Sequence, residues 1–146
     1  MCARAIVSLG SNLEPRRDYL ARALEALGNL DATTLVASSR ILETAGVDVP
    51  ADFAHLKFLN QVAVFETSLE VHAFSRRMHA IEDTLGRVRT VRNGPRTIDL
   101  DLIDFDGLKL DEPELTLPHP RAAVRPFVTI PLAELGLDIR FPESPK

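Results

Sequence analysis

The order of the hydrophobic patterns along the chain is the strongest constraint on its fold. Two segments repeat apolar residues at helical spacing, and each lies between runs rich in the β-branched and aromatic residues of strands. The patterns follow one another as strand, helix, strand, strand, helix and strand. This order predicts the split arrangement of a ferredoxin-like α+β fold. We therefore expect an antiparallel sheet with helices packed on one face and an open ligand-binding face.

The first half of that order has recognisable boundaries. A buried strand is predicted at about 4–9, and a helix runs from Pro15 to a stop at Gly28. The run at 33–42 predicts a second strand. A long loop at 43–58 follows, and long loops in compact domains often have a function.

The second half repeats the pattern. A third strand is predicted at 60–67 and a fourth from about Thr97, with a helix between them that ends at Gly86. A short helix at about 124–135 follows the fourth strand. The apolar stripe of the middle helix consists of Val71, Phe74, Met78, Ile81 and Leu85.

Length and composition limit the class of protein. The 146 residues fit one domain, 1–146, and no linker, repeat or low-complexity tract divides them. The net charge of -4 argues against general nucleic-acid binding, and no apolar run approaches the roughly 20 residues of a membrane span. A single cysteine excludes an internal disulfide. We expect a cytoplasmic monomer with no membrane partner.

The segment "RVRTVRNGPRTIDLDLIDFDG", residues 87–107, gathers positive charge immediately before a line of carboxylates. Four arginines fall in 87–96, and arginine presents a planar fork that grips phosphate oxygens. So dense a group repels itself unless anions pair with it. The anions could be the aspartates that follow, which is the simpler interpretation, or a bound polyphosphate.

The aspartates that follow alternate with aliphatic residues. Because strand side chains alternate faces, Asp99 and Asp101 share one face, about 7 Å apart, and Leu100 takes the other. Such a pair can be the solvent-facing row of a half-exposed sheet. It also suits magnesium, which binds one or two carboxylates together with substrate phosphates. Magnesium together with arginine is typical of the active sites of phosphoryl-transfer enzymes.

The alternation breaks after Leu102. Ile103 and Phe105 are apolar while Asp104 and Asp106 are polar, which predicts a bulge or a strand end near 102–104. We expect Asp104 and Asp106 to be solvated turn residues without a role in the site.

Four motifs together resemble a known family. They are "SLGSNL", "LGRVR", "NGPRTIDLDL" and "LPHPRAAVRPFVTIPL", which occur in order from Gly10 to Leu132. The chain resembles the 6-hydroxymethyl-7,8-dihydropterin pyrophosphokinases of folate biosynthesis. The resemblance implies transfer of a diphosphoryl group from ATP to the pterin hydroxymethyl group, release of AMP, and two Mg²⁺ ions.

The resemblance also implies site residues. Arg87 and Arg96 would assist the transfer, and Asp99 and Asp101 would bind both metals. Residues that match nucleotide-site positions are Glu82, Arg89, Leu102, Thr116, His119, Arg121 and Arg125. Residues that match the pterin site are Thr44, Gly46, Val47, Phe58, Asn60 and Phe127, with the two phenylalanines on either side of the flat heterocycle.

Two other functions remain open. A noncatalytic ferredoxin-like nucleotide-binding domain could keep the same scaffold. A different metal-dependent nucleotidyl or phosphoryl transferase could use the same open sheet, but it would have no need of two aromatic rings and Asn60 beside a planar substrate.

Overall fold

The structure, a computed structural model, describes residues 2–11, 15–45, 57–86, 98–122 and 125–137. Its main sheet has five antiparallel strands in the order β2-β4-β1-β5, with β3 also paired to β4. The strands are β1 (Ala3–Ser11), β2 (Thr33–Ser38), β3 (Leu42–Ala45), β4 (Lys57–Thr67) and β5 (Asp99–Phe105). The sheet and its helices confirm the predicted α+β, ferredoxin-like class.

Two helices cover one face of the sheet. They are α1 (Arg16–Gly28) and α2 (Val71–Thr84), and their apolar stripes bury Leu20 and Phe74 against Val7 and other residues of β1, β4 and β5. Glu70 is the N-cap of α2, and its carboxylate accepts hydrogen bonds from the backbone amides of His72 and Ala73. This face holds the larger part of the core.

A third helix lies against the opposite face. Val128 and Leu132 of α3 (Pro126–Glu134) form a second apolar cluster with Ile6, Val62 and Ile103 of the sheet. The helix predicted at about 124–135 is thus confirmed. The open face is limited to the part of the sheet that α3 leaves uncovered.

The run predicted as one strand at 33–42 forms two. Ser39 ends β2 because its amide donates to the Val62 carbonyl at 2.8 Å while its hydroxyl accepts the Val62 amide at 3.0 Å. Ser39 thereby satisfies both backbone hydrogen-bonding groups of Val62 in β4, and the next strand, β3, begins at Leu42. The loop predicted at 43–58 is shorter than expected, since its two ends belong to β3 and β4, and 46–56 lie outside the described residues.

The predicted break in β5 is a β-bulge. Val7 is paired with Leu102 and the preceding Ile6 with Asp104, so Ile103 is the extra residue. The bulge turns Asp104 onto the same face as Ile6, where its exposed fraction is 3%. The expectation that Asp104 is solvated was therefore wrong. Asp106 is exposed at a left-handed turn position.

A small hairpin after β5 was not predicted. It consists of β6 (Leu110–Glu112) and β7 (Leu115–Leu117), and Leu115 and Leu117 reach the core under α2. A cis peptide bond joins Leu117 to Pro118 directly after it. The hairpin brings the segment that contains His119 back beside β5.

None of the three helices that the structure describes has the length and apolar character needed to cross a lipid bilayer.

Candidate active site

The two aspartates predicted to bind metal lie on the face opposite α1 and α2. Leu100, between them, is buried in the core on the helix side, so the alternation of β5 turns Asp99 and Asp101 the other way. Both carboxylates are partly exposed. The sequence prediction of a shared face is confirmed.

The register of three strands places pterin-site candidates beside the acid pair. Gly10 of β1 is opposite Asp99 on one side and Asn60 of β4 on the other. Since neighbouring strands lie about 4.8 Å apart, the Asn60 and Asp99 backbones are roughly 10 Å apart. That separation suits a ligand that contacts Asn60 at one end and presents a reacting group to the carboxylates at the other.

Gly10 leaves the space between these two side chains open. A β-carbon at this position would lie 3.2 Å from Asn60 Oδ1 and 3.9 Å from Phe58 Cδ1. Asn60 is buried and Phe58 is half-buried. The three residues therefore form a small recess on the sheet surface, and Gly10 was not among the residues that sequence analysis selected.

The acid pair has an unfavourable electrostatic environment. Burial of the carboxyl group, followed by repulsion from Asp99, raises the pKa of Asp101 from 3.8 to about 7. The charge of Arg125 opposes this shift, as does the charge of His79. The raised pKa of Asp101 beside a second carboxylate fits a divalent cation, because a cation would remove both the repulsion and the cost of burial. The donor set therefore fits magnesium.

His119 lies next to the acid pair. Its backbone amide donates to the Ile103 carbonyl at 2.9 Å, which fixes it along β5, and its Nε2 is 3.8 Å from Asp101 Oδ1. Its Nδ1 accepts the Arg121 backbone amide at 3.2 Å. In the neutral ring the proton is therefore on Nε2, the nitrogen that is turned toward Asp101.

The same surroundings keep His119 neutral. Burial, together with the charges of Arg125 and Arg121, lowers the pKa of His119 to about 4. A neutral Nε2–H can donate one hydrogen bond to a phosphate oxygen without carrying charge.

Arg125 and Phe127 are in contact at the start of α3. The Arg125 guanidinium carbon lies 5.6 Å from the centre of the Phe127 ring, within the range of a cation–π contact. Phe127 also packs partly against the α3 cluster. One face of this ring is therefore next to a cation, and a flat ligand would stack on the ring where Arg125 leaves it uncovered.

Two nucleotide-site candidates have their side chains on the other side of the sheet. The Leu102 side chain is in the core with α1 and α2, so Leu102 could reach a ligand on the acid face through its main chain alone. Glu82 has an exposed fraction of 0%, and its Oε2 accepts the Leu100 amide at 2.8 Å. Glu82 thus lies beneath the acid strand.

A groove of about 360 Å³ runs between α2 and the β6–β7 hairpin. Thr116 is in β7 at this end of the molecule, partly buried, with its hydroxyl 3.4 Å from the Glu112 carbonyl. Sequence analysis missed the groove because it missed the hairpin. The lining residues are His72, Ser75, Arg76, His79, Ala80, Asp83, Glu114 and Leu115.

One further cluster with ligand chemistry lies at the far end of α2. His72, Glu112 and Glu114 have their nitrogen and oxygen atoms within 4.8 Å of one another. Both ring nitrogens of His72 already have carboxylate partners, Glu70 at 2.5 Å and Glu112 at 2.6 Å. Because these contacts account for the ring, we interpret the cluster as a clamp between α2 and the hairpin.

One more pterin-site candidate lies in the sheet. Thr44 belongs to β3, where it is the register partner of Phe58. The residues that lie outside the described ranges are Gly46, Val47, Arg87, Arg89 and Arg96.

Comparison with known proteins identifies a family. Residues 6–137 match the family model described as 7,8-dihydro-6-hydroxymethylpterin-pyrophosphokinase (HPPK). The 2-amino-4-hydroxy-6-hydroxymethyldihydropteridine pyrophosphokinase of Pseudomonas aeruginosa is 41% identical over 144 residues, which cover 99% of this chain and 87% of the relative. The protein of the same name from Bacillus subtilis is 39% identical over 90% of this chain and 77% of its own length.

A solved structure shares the fold. The "Crystal Structure Analysis of the HPPK-DHPS in complex with substrates" superposes with a TM-score of 0.68 at 13% sequence identity. The match covers 92% of this chain and 40% of the other. This likeness supports the fold, while the family rests on the sequence matches.

Proposed function

This chain belongs to the 7,8-dihydro-6-hydroxymethylpterin-pyrophosphokinase family, and on that premise we propose which of its residues carry out the reaction. The family transfers a diphosphoryl group from ATP to the hydroxymethyl group of the dihydropterin in folate biosynthesis. ATP is therefore a co-substrate. The roles of individual residues, the metal and the cellular setting are our proposals.

The observation that carries these assignments is the row of Asp99, Gly10 and Asn60 across three strands. A pterin in the recess at Gly10 would hydrogen-bond to Asn60 and would lie against Phe58, with Thr44 on the paired strand. Its hydroxymethyl group would then extend along the row toward the acid pair. Phe127, with Gly46 and Val47, would complete the pterin site.

Asp99 and Asp101 are the proposed magnesium ligands. The unfavourable ionisation of Asp101 next to the Asp99 charge, described above, is what a cation would relieve. When bound, two Mg²⁺ ions would neutralise phosphate charge and orient the reacting oxygens. The protein supplies the fixed spacing of the carboxylates along β5.

The arginines around the acid pair and the neutral ring of His119 are the proposed phosphate contacts. Arg125 is near enough for its charge to act on Asp101, and His119 Nε2 is on the same side. Arg121 acts on His119 in the same way. From the family resemblance, Arg89 would add to this set, and Arg87 and Arg96 would stabilise the transferred and leaving groups.

The groove between α2 and the hairpin is the proposed place for the nucleoside of ATP. It lies beside the acid face, since the charge of His79 in its wall acts on Asp101. Leu115 offers an apolar surface there, and Thr116 lies in the same strand. We assign Glu82 and Leu102 to the support of this site, because their side chains are buried.

The proposed reaction is an in-line displacement. The substrate hydroxyl oxygen forms a bond to the β-phosphorus of ATP while the bond from that phosphorus to the α–β bridging oxygen breaks. The products are the pterin diphosphate ester, AMP and one proton. Positioning and charge neutralisation supply most of the rate in such transfers, so no covalent protein intermediate is required.

Mixing the protein with ATP, Mg²⁺ and the dihydropterin alcohol tests the proposal. We expect stoichiometric AMP and the diphosphate ester, with activity lost on chelation. Release of ADP would contradict the transfer of two phosphoryl groups. Nucleotide binding without turnover would instead favour a noncatalytic nucleotide-binding domain.

We also propose that the chain acts as a single-domain, cytoplasmic monomer. The continuous family match over 6–137 supports one functional unit in this part of the chain. Light scattering at micromolar concentration tests the monomer, and a concentration-dependent rise in mass would contradict it.

A further inference from the structure

Glu82 is a carboxylate in an unusual place. It lies within the buried stripe of α2 that also contains Phe74 and Met78, and its exposed fraction is 0%. Carboxylates are rarely buried completely because loss of hydration disfavours the charge. A buried acid on a core stripe therefore calls for a specific partner.

Its two oxygens have different partners. Oε2 accepts the Leu100 backbone amide at 2.8 Å, and Oε1 is 2.6 Å from Nδ1 of His79, one turn earlier on α2. Both distances are those of strong, charge-assisted hydrogen bonds. The His79 ring is 45% exposed and forms part of the groove wall.

The hydrogen bond from the Leu100 amide to Glu82 takes the place of a backbone hydrogen bond to a neighbouring strand. In the described sheet β5 is the last strand after β1, so backbone groups that point away from β1 have no ladder partner on that side. Glu82 supplies the acceptor at the one residue that separates Asp99 from Asp101. Glu82 thus holds the peptide between Asp99 and Leu100 from the helix side of the sheet, while the Asp99 and Asp101 carboxylates lie on the opposite face.

We propose that Glu82 is a positioning residue for the pyrophosphokinase reaction: its carboxylate fixes the Leu100 peptide and thereby the relative aim of Asp99 and Asp101, and His79 holds that carboxylate in place. Glu82 does not contact the nucleotide in this assignment. It acts through the backbone of the metal-binding strand, across the thickness of the sheet.

Two substitutions test the proposal. Glu82→Leu removes the acceptor and keeps an apolar side chain of similar reach, whereas Glu82→Gln keeps an amide oxygen for the Leu100 amide. For Glu82→Leu we expect kcat to fall about 10- to 100-fold and the Mg²⁺ concentration for half-maximal rate to rise, as when an outer-shell partner of a metal ligand is lost. Glu82→Gln should recover most of both.

A matched control separates positioning from stability. Ile81→Val shortens the neighbouring buried residue of the same helix, so it should lower Tm without moving the Mg²⁺ dependence. If Glu82→Leu does not fold, hydrogen exchange in the wild type decides: the Leu100 amide should be protected from exchange although no described strand pairs with β5 on that side, and Glu82→Gln should keep most of that protection.

Three outcomes would overturn the proposal. The first is a folded Glu82→Leu variant with wild-type kcat and Mg²⁺ dependence. The second is a selective rise in KM for ATP with kcat retained, which would make Glu82 a nucleotide contact. The third is a Leu100 amide that exchanges in the wild type as fast as an amide without a hydrogen bond. AMP release by the wild type, measured first, keeps each result distinct from a failure of the overall reaction.

Discussion

Gly10 and Asn60 are opposite one another in β1 and β4, and a β-carbon at Gly10 would lie 3.2 Å from Asn60 Oδ1. That separation is shorter than the about 3.5 Å at which non-bonded heavy atoms pack best. Gly10→Ala should therefore displace the Asn60 amide. We expect KM for the pterin to rise about 10-fold, a loss of about 1.4 kcal/mol of binding, with a smaller change in KM for ATP.

Gly28 provides the control for that substitution. A β-carbon at Gly28 would be 3.6 Å from the Leu35 β-carbon, an ordinary contact, at the end of α1. Gly28→Ala should leave both KM values unchanged. An unchanged KM for the pterin in Gly10→Ala would remove the recess from the substrate site.

Neutralising either metal-site acid should abolish most activity without unfolding the protein. We expect Asp99→Asn and Asp101→Asn to lower kcat/KM at least about 100-fold, the scale on which loss of a group that stabilises transition-state charge is felt. Steady-state AMP release and circular dichroism measure the two effects. Retained activity in a folded variant would contradict the metal assignment.

The Asp101→Asn substitution should stabilise the metal-free protein. Because the folded pKa of Asp101, about 7, is above its ordinary value of 3.8, ionisation opposes folding. The free energy of unfolding therefore falls as pH rises from 3.8 to 7, and the loss persists at higher pH. In chelator, Tm of Asp101→Asn should exceed that of the wild type at pH 8 and approach it at pH 4.

Binding of magnesium should release a proton near neutral pH. An acid whose pKa is about 7 must lose its proton before the carboxylate can act as a metal ligand. Apparent Mg²⁺ affinity in the presence of an ATP analogue should rise between pH 6 and pH 8, by up to about 10-fold per pH unit below the pKa. Calorimetry in two buffers of different ionisation enthalpy counts the protons, and Asp101→Asn should lose the effect.

His119 should not titrate in the physiological range. Its pKa is lowered to about 4, mainly by burial, and its Nδ1 accepts a backbone hydrogen bond. The ring-proton NMR signal of His119 should be flat from pH 5.5 to pH 8, with the tautomer that carries the proton on Nε2. An inflection near pH 6.5 would show an exposed, ordinary histidine.

His72 should behave in the opposite way. Its hydrogen bonds to Glu112 and Glu70 raise the pKa of His72 above 6.5, so the clamp is fully formed below that pH and is lost as pH rises through the folded pKa. The Tm advantage of the wild type over His72→Gln should be largest near pH 6 and should narrow at higher pH. The Tm difference between the wild type and Glu112→Gln should narrow in the same way as pH rises. A Tm difference that does not depend on pH would contradict the clamp.

The sequence pattern correctly predicted those features of the site that depend on a single strand. Alternation in "TIDLDL" placed Asp99 and Asp101 on one face, and its failure after Leu102 located the bulge at Ile103. Whether Asp104 is buried or exposed depends on the face of the sheet to which its partner Ile6 points. That partner is in β1, far away in the sequence. The expectation for Asp104 was therefore wrong although the bulge was right.

Features that depend on two elements were harder to predict. The strands of the β6–β7 hairpin have three residues each, too few for a period to show, so the groove beside α2 was missed. Glu82 did leave a signal. It follows Met78 by four residues and Phe74 by eight, which places it on the buried stripe of α2, although no pattern reveals that its partner is a peptide of β5.

The first four residues of β5, Asp99 to Leu102, serve the chemistry and the interior in alternate positions. Repacking Leu100 or Leu102 would tilt the ribbon on which the ion ligands are mounted, and shifting the ligands would disturb the packing beneath. Ions of different radius must therefore be accommodated by rotation of the carboxylates and not by movement of the chain. Tolerance to Mn²⁺ in place of Mg²⁺ would be a property of the side-chain torsions of two aspartates, separate from the rest of the fold.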